Sequence, residues 1–334
     1  MEWDLPLIWA GLIGLAVAMY VILDGFDLGV GLLFAFTKKE SERDQMIASI
    51  APFWDGNETW LVLGGGGLLV AFPRAYAVIM PALYLPVIVM LLALVFRGVA
   101  FEFRHIAVTS KRYWNFAFAA GATLAALSQG VILGGLIQGI KVENGGFAGG
   151  VFDWATPFAA LCGLGVVAGY ALLGATWLVM KTAGTVADRA RGQAKFLLLA
   201  VLVFMAIVSL WTPLSIERIA LRWFSTPNIY YLWPVPFFTA LTALVAWRGL
   251  EKGREVIPFI GAIGLFLLGY AGLVISVFPY IVPPSLTIWQ TAASPSSQMF
   301  MLIGTLALLP VILGYLVFVY WVFRGKVHEG ESYH

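Results

Sequence analysis

Long apolar runs separated by short polar linkers make up most of this chain. Nine runs can be drawn, at about 7–36, 49–72, 76–99, 114–138, 154–180, 194–212, 231–248, 256–278 and 299–323. A helix needs roughly 20 apolar residues to cross a bilayer, and each run reaches or approaches that length. The pattern predicts an all-α polytopic membrane protein with about nine transmembrane helices. The first run is long, so its helix either tilts or extends past the bilayer. No linker is long enough for a soluble domain and no internal repeat is visible, so 1–334 reads as a single membrane-embedded domain.

Polar residues interrupt two consecutive runs. The stretch APFWDGNETWL (51–61) opens the second and carries Asp55, Asn57 and Glu58. The first contains DGFDLGVG (24–31), with Asp24 and Asp27. Both carboxylate pairs are three apart, so each shares one helix face. Carboxylates inside a span are costly and by default mark an ion path, a proton relay or a counter-charge. At 1.5 Å per residue, Asp27 lies about 13 Å and Asp24 about 18 Å from the end of the first run. Asp55 lies about 9 Å and Glu58 about 14 Å from the start of the second. A short connection makes these two helices antiparallel neighbours, so all four carboxyls reach similar depths and form one cluster if their faces match.

Composition agrees with the pattern: 61% of the residues are hydrophobic and only 11% charged, about half the charge of a soluble domain. The net charge of +2 gives no argument for nucleic acid, because the basic residues lie in short loops. Loops after the first, third, fifth and seventh runs, with the C-terminal tail, hold 16 of the Lys and Arg residues, Arg97 and Arg104 among them, against 4 on the other side. The positive-inside rule then puts the N-terminus outside and the C-terminus in the cytoplasm, with all four carboxyls in the cytoplasmic half. The N-terminal MEWDLPLIW lacks the basic region and cleavage pattern of a signal peptide, so the first span is expected to be retained. The single cysteine, Cys162, forms no internal disulfide and reads as a packing residue.

Each feature also has a structural reading. DGFD can unwind its helix locally, its carboxylates accepting backbone N–H groups. Asp55 can serve as a helix cap, since Pro52 suits a first turn; Glu58 lies too deep for that. Trp54 and Trp60 read as packing or interfacial aromatics. The run Gly64–Gly67 lacks the Lys-Ser/Thr ending of a phosphate loop and allows close approach of a helix or a flat ligand. Arg97 either pairs with Glu102 at the surface or offsets the buried carboxylates. The three histidines, His105, His328 and His334, all lie outside the interiors of the runs. A b-type haem needs His, or His and Met, as axial ligands, and no Cys/His cluster has metal spacing. The chain itself is therefore expected to ligate no haem and no tightly bound metal.

These motifs, DGFDLGVG (24–31), SIAPFWDGNETWL (49–61), FPRAYA (72–77), FRGVAFEFR (96–104) and FPYIVPPSLTIWQTAASPSSQ (278–298), resemble those of subunit II of cytochrome bd-type quinol oxidases. They span both ends of the chain. Many members have Asp after LTxW, where Gln290 stands here; this and the short chain are closer to the cyanide-insensitive branch. The resemblance implies a heterodimer in the bacterial cytoplasmic (inner) membrane with a subunit I that holds two b haems and one d or b-type haem. It implies oxidation of quinol and reduction of O2 to water, with protons drawn from the cytoplasm. It makes Asp55 the best candidate for a proton path along the subunit interface, with Asp24, Asp27 and Glu58 weaker candidates and Trp54, Asn57 and Arg97 in support. Some members hold a quinone in subunit II as a structural lipid, and a small third subunit is a further partner that the resemblance allows. Small residues such as Gly29, Gly31 and Gly64–Gly67 would let the partner approach closely. Two rival readings stand beside this one. A proton-coupled transporter also carries glycine-interrupted spans and midplane carboxylates, though without visible repeats here. A pure scaffold would use its carboxylates for ion pairing alone.

Overall fold

The computed structural model describes residues 4–330. Helix α1 (Leu5–Phe34) starts where the Asp4 carboxylate accepts the Leu7 N–H at 3.1 Å and Pro6 occupies the first turn. It runs unbroken through DGFD, so that motif does not unwind. A polar helix, α2 (Glu40–Ile50), fills the first linker, where the hydropathy pattern predicts no span. After a turn at 51–53 come α3 (Trp54–Ala71) and α4 (Pro73–Ala82), bent from one another by 120°. Next are α5 (Tyr84–Ile106) and α6 (Lys111–Gln138), then a hairpin of β1 (Val142–Glu143) and β2 (Gly146–Phe147). The chain continues through α7 (Pro157–Lys181), α8 (Thr185–Ser215), the short α9 (Glu217–Phe224) and α10 (Asn228–Leu232), α11 (Pro234–Glu251) and α12 (Val256–Val277). A second hairpin, β3 (Tyr280–Val282) and β4 (Leu286–Thr287), leads through α13 (Ile288–Thr291) to α14 (Pro295–Val322).

Among the described residues, eight helical segments are long and apolar enough to span a membrane, and the bent α3–α4 pair brings the number to nine. The expected number of spans holds, but several boundaries move; α8 begins at Thr185 rather than 194, and two other shifts bear on the site. The second span begins at Trp54 rather than 49, because 49–50 belong to α2. The third runs from Tyr84 to Ile106 rather than 76–99. Pro73 is the cause: it has no N–H to donate, its ring clashes with a continuing helix, and Phe72 before it leaves helical geometry (φ −134°, ψ 60°). The residues 73–82 therefore turn aside as α4. In consequence Arg97 is not a loop residue; it lies inside α5 and is buried.

The core forms around α1 and α7. A Cβ on Gly29 would lie 1.8 Å from the Tyr170 carbonyl oxygen, and one on Gly174 would lie 2.3 Å from the Gly29 carbonyl carbon. The two backbones thus touch, which only glycine permits. Below this crossing, Phe26 stacks on Trp177 at 4.0 Å, with Phe53 and Phe259 edge-on to the indole. Gly31 meets Ala122 of α6. Gly29 and Gly31 are therefore used inside the subunit, not against a partner as expected. Gly64 and Gly67 face Val17 and Ile13 of α1, while Gly65 and Gly66 face open space. Cys162 is buried beside Gly134 and does act as a packing residue. A second apolar cluster, with Trp9, Phe72, Val78, Val282 and Ile288, closes the opposite end.

Polar contacts hold α2 across the helix ends. Arg104 of α5 binds Glu40 at 2.9 Å and Asp44 at 2.6 Å, and Asn115 of α6 at 2.5 Å. Glu42, itself buried, accepts from Arg189 of α8 at 2.5 Å and from the Thr185 hydroxyl at 3.2 Å. Gln45 donates to the carbonyls of Ala183 and Val327, tying the tail to the same helix.

Candidate functional site

Three motifs meet in the interior. Asp24 and Asp27 lie on the C-terminal half of α1, Asn57 and Glu58 in the first turns of α3, and Arg97 on α5. Asp24, Asp27, Asn57 and Arg97 are all buried. Arg97 Nη1 donates to Asp24 Oδ1 at 2.6 Å, and Arg97 Nη2 to Glu58 Oε2 at 2.9 Å. The guanidinium thus joins two helices from a third, and the alternative of a surface pair with Glu102 falls away. Gly121 lets α6 approach the α5 backbone beside Arg97: a Cβ there would lie 2.7 Å from the Ala93 carbonyl oxygen and 3.0 Å from Arg97 N. The Trp54 ring covers the guanidinium at 5.9 Å, a cation–π contact, and packs on Phe101 at 5.0 Å. Trp60 is buried against α1.

Asp27 is held differently. Its Oδ2 accepts from Asn57 Nδ2 at 2.7 Å, and among the described residues no cation lies within ion-pair distance of it. Asn57 also donates to the Leu23 carbonyl at 3.3 Å and accepts from the Tyr320 hydroxyl of α14 at 3.0 Å. Two carboxyl oxygens, Asp24 Oδ2 and Asp27 Oδ1, are buried with no protein partner. Such atoms are where a proton or a water is expected, since an unmet buried acceptor is costly. Glu58 alone of the three carboxyls keeps partial exposure, 30% of its side chain, and so forms the rim. The set contains one cation and three carboxyls.

Of the four carboxyls expected to cluster if their faces matched, Asp24, Asp27 and Glu58 come together around Arg97, with Asn57 beside Asp27, and Asp55 stays apart from them. Asp55 lies in the first turn of α3 on its exposed side, where the helix dipole favours a carboxylate. It is not the cap; Phe53 takes that position without a side-chain bond. Sequence reasoning also missed a polar branch. Tyr20 precedes Asp24 by one turn, and its hydroxyl accepts from Gln129 Nε2 at 2.8 Å; Tyr170 donates to Gln129 Oε1 at 2.6 Å. A glutamine inside an apolar run was the available signal. His105 is exposed in the last turn of α5, His328 is exposed in the tail, and His334 lies outside the described residues. Among the described residues no group of three His, Cys, Asp or Glu side chains could hold a metal ion. Among the described residues, the histidine nearest a span interior is His105, one residue from the end of α5.

A sequence model described as cytochrome bd terminal oxidase subunit II matches residues 5–323. The chain belongs to that family. It is 31% identical to the cytochrome bd-I ubiquinol oxidase subunit 2 of Escherichia coli (strain K12), over 98% of this chain and 96% of that one. It is 29% identical to the cytochrome bd ubiquinol oxidase subunit 2 of Bacillus subtilis (strain 168), over 97% of each. Its fold matches a chain in the structure of bd oxidase from Geobacillus thermodenitrificans with a TM-score of 0.77 and 19% identity, covering 96% of this chain and 99% of that one. Seen as a subunit II, the chain uses its motifs in two places. DGFD, WDGNE and FRG build the cluster. FPRAYA and the 278–298 segment meet at the other end, where Gln298 donates to the Ala71 carbonyl at 3.1 Å and Arg74 to the Gln290 carbonyl at 3.4 Å. There Gln290 closes a capping box with Thr287, so a glutamine at this position has a local structural use.

Proposed function

We propose that this chain is the haem-free subunit of a membrane oxidase complex that oxidises quinol and reduces O2 to water. The haems lie in its partner, subunit I, and this chain supports that partner and lines a proton path from the cytoplasm. The N-terminus is outside and the C-terminus inside; the basic side chains gathered around α2 support that orientation even with Arg97 removed from the loops. A quinone held here as a structural lipid and a small third subunit belong to the same reading and rest on the family alone.

Reduction of O2 to water consumes protons together with electrons, so a path must reach the reaction without carrying bulk water. The observation that carries the proposal is the buried set of three carboxyls around one guanidinium, with an unpartnered oxygen on each of the two deepest. In it Arg97 ion-pairs with Asp24, while Asp27 is bonded to the Asn57 amide and, among the described residues, has no cation within ion-pair distance. Glu58 connects the set to the exposed side, where Asp55 precedes it by one turn. Such groups titrate together rather than singly.

The test is turnover per assembled haem with quinol and O2 saturating. Asp55→Asn and Asp27→Asn are expected to lower it while leaving haem content intact, and Asp55→Glu to retain more activity than Asp55→Asn. The scaffold reading predicts the opposite pattern, with haem content falling and the assembled fraction keeping full turnover. A transporter would show no haem absorption in its purified complex.

A further inference from the structure

A cavity of about 300 Å³ opens at the end of the helix bundle that carries α2, lined by none of the cluster carboxyls. Its wall includes Ala48 and Ser49 of α2, Pro52 and Phe53 of the following turn, Lys181 at the end of α7, and Lys326 of the tail. It far exceeds the roughly 30 Å³ that one water occupies in the liquid.

Lys181 gives the cavity its character. The residue is only 5% exposed. Its ammonium donates to the Phe323 carbonyl and, at 2.7 Å, to the Gly325 carbonyl, and lies 5.6 Å from the Phe53 and Trp177 ring centroids. These contacts meet hydrogen-bonding needs and cap the end of α14, but none neutralises the charge. Among the described residues no carboxylate lies within ion-pair distance of Lys181. A buried charge left without a counter-charge is costly. Lys326 adds a second ammonium, paired at 2.6 Å with Glu255. Helix α3 begins at the same wall with no side-chain cap, leaving first-turn N–H groups. The neighbouring surface is apolar, with Trp321, Val322 and Phe323 all exposed at the end of α14. A soluble anion has no use for such a surface, whereas a lipid puts its acyl chains there and its headgroup at the helix end.

We propose that this cavity binds the phosphate group of an anionic lipid between Lys181 and Lys326, in the manner of basic pockets at helix ends. The inference is independent of the proton-path reading.

The test uses the protein purified with its partner subunit, stripped of lipid in detergent. It is titrated with short-chain phosphatidylglycerol, short-chain phosphatidylcholine and inorganic phosphate, and binding is followed as a saturable rise in melting temperature. Phosphatidylglycerol is expected to bind wild type, and Lys181→Met and Lys326→Gln to weaken it about tenfold or more, the scale of one charge-assisted hydrogen bond. Ala48→Phe fills the cavity without touching either lysine, is expected to weaken binding similarly, and serves if Lys181→Met fails to assemble. Equal stabilisation by phosphate alone would overturn the lipid assignment in favour of a soluble anion. Equal phosphatidylglycerol affinity in wild type, Lys326→Gln and Ala48→Phe would overturn the site, as would equal stabilisation by phosphatidylcholine.

Discussion

Asp24 and Asp27 lie one turn apart on the same helix, yet their neighbours divide their roles. Asp24 faces a guanidinium at 2.6 Å, both groups being almost wholly buried. Removing one partner of such a pair leaves a buried charge and costs about 3–5 kcal/mol. Asp24→Asn and Arg97→Met are therefore expected to lower the melting temperature and assembled yield of the complex, read by thermal unfolding and haem per protein. Asp27 bonds to Asn57, which donates equally well to the amide oxygen of an asparagine. Asp27→Asn is expected to assemble normally, so its effect on turnover is interpretable where that of Asp24→Asn is not. Sequence alone marked both residues as functional carboxylates through their placement in an apolar run. It had no means of dividing them, because the division depends on which face of α5 and α3 each meets. Asp55 shows the same limit: its spacing to Glu58 is right for a shared face, but its position in the first turn puts it at the rim.

At the scale of elements, the α1–α7 crossing is the tightest contact near the cluster. Gly29→Ala would drive a methyl into the Tyr170 carbonyl, and overpacking of this kind costs about 1–3 kcal/mol or more. Reduced assembly, measured as haem-loaded complex per unit of expressed chain, is the expected result; wild-type yield would show that α1 and α7 can separate. Helix α2 gives a prediction with pH. Burial pushes the Glu42 carboxyl up, but hydrogen bonds and charge from Arg189, with Thr185 and Lys39, outweigh it and leave the group below its ordinary value. A depressed folded-state value means that Glu42 stabilises α2 docking above the ordinary glutamate range. That contribution is lost as pH falls through the depressed value. Acid should therefore loosen α2, and Glu42→Gln should flatten that dependence, as read by protease cleavage of the 38–50 segment between pH 7 and pH 3. The existence of α2 was hard to read because its polarity removed it from the hydropathy pattern. The break at Pro73 was readable, since FPRAYAVIMPALYLP holds three prolines, but the continuous apolar run masked it and displaced α5 by nearly two turns.

The whole molecule leaves wide apolar faces open, notably on α14, where Phe300, Ile303, Val311 and Val317 are each more than 60% exposed. Patches of this size need lipid or a partner to cover them, as membership of an oxidase subunit family requires. The number of spans, the all-helical class and the family were legible from the sequence, because hydropathy and contiguous motifs are local. The site's connections were not, because Gln129, Tyr170 and Tyr320 reach it from distant helices whose rotation no local pattern specifies. Expressed alone, the chain is expected to give no haem in a pyridine haemochrome assay; stoichiometric haem would contradict the assignment of the haems to its partner. The central claim, that the buried carboxyls carry protons rather than only bind helices together, is tested most directly by proton uptake. Reduced complex is mixed with O2 in weakly buffered medium, and a pH dye follows protons taken from the cytoplasmic side as the haems oxidise. General acid–base groups contribute about 10²–10⁴ in rate, and bypass by water reduces that for a relay. Asp27→Asn is accordingly expected to slow uptake by about tenfold or more at unchanged haem content. Uptake at the wild-type rate in that variant would contradict the account and leave the cluster a structural ion pair.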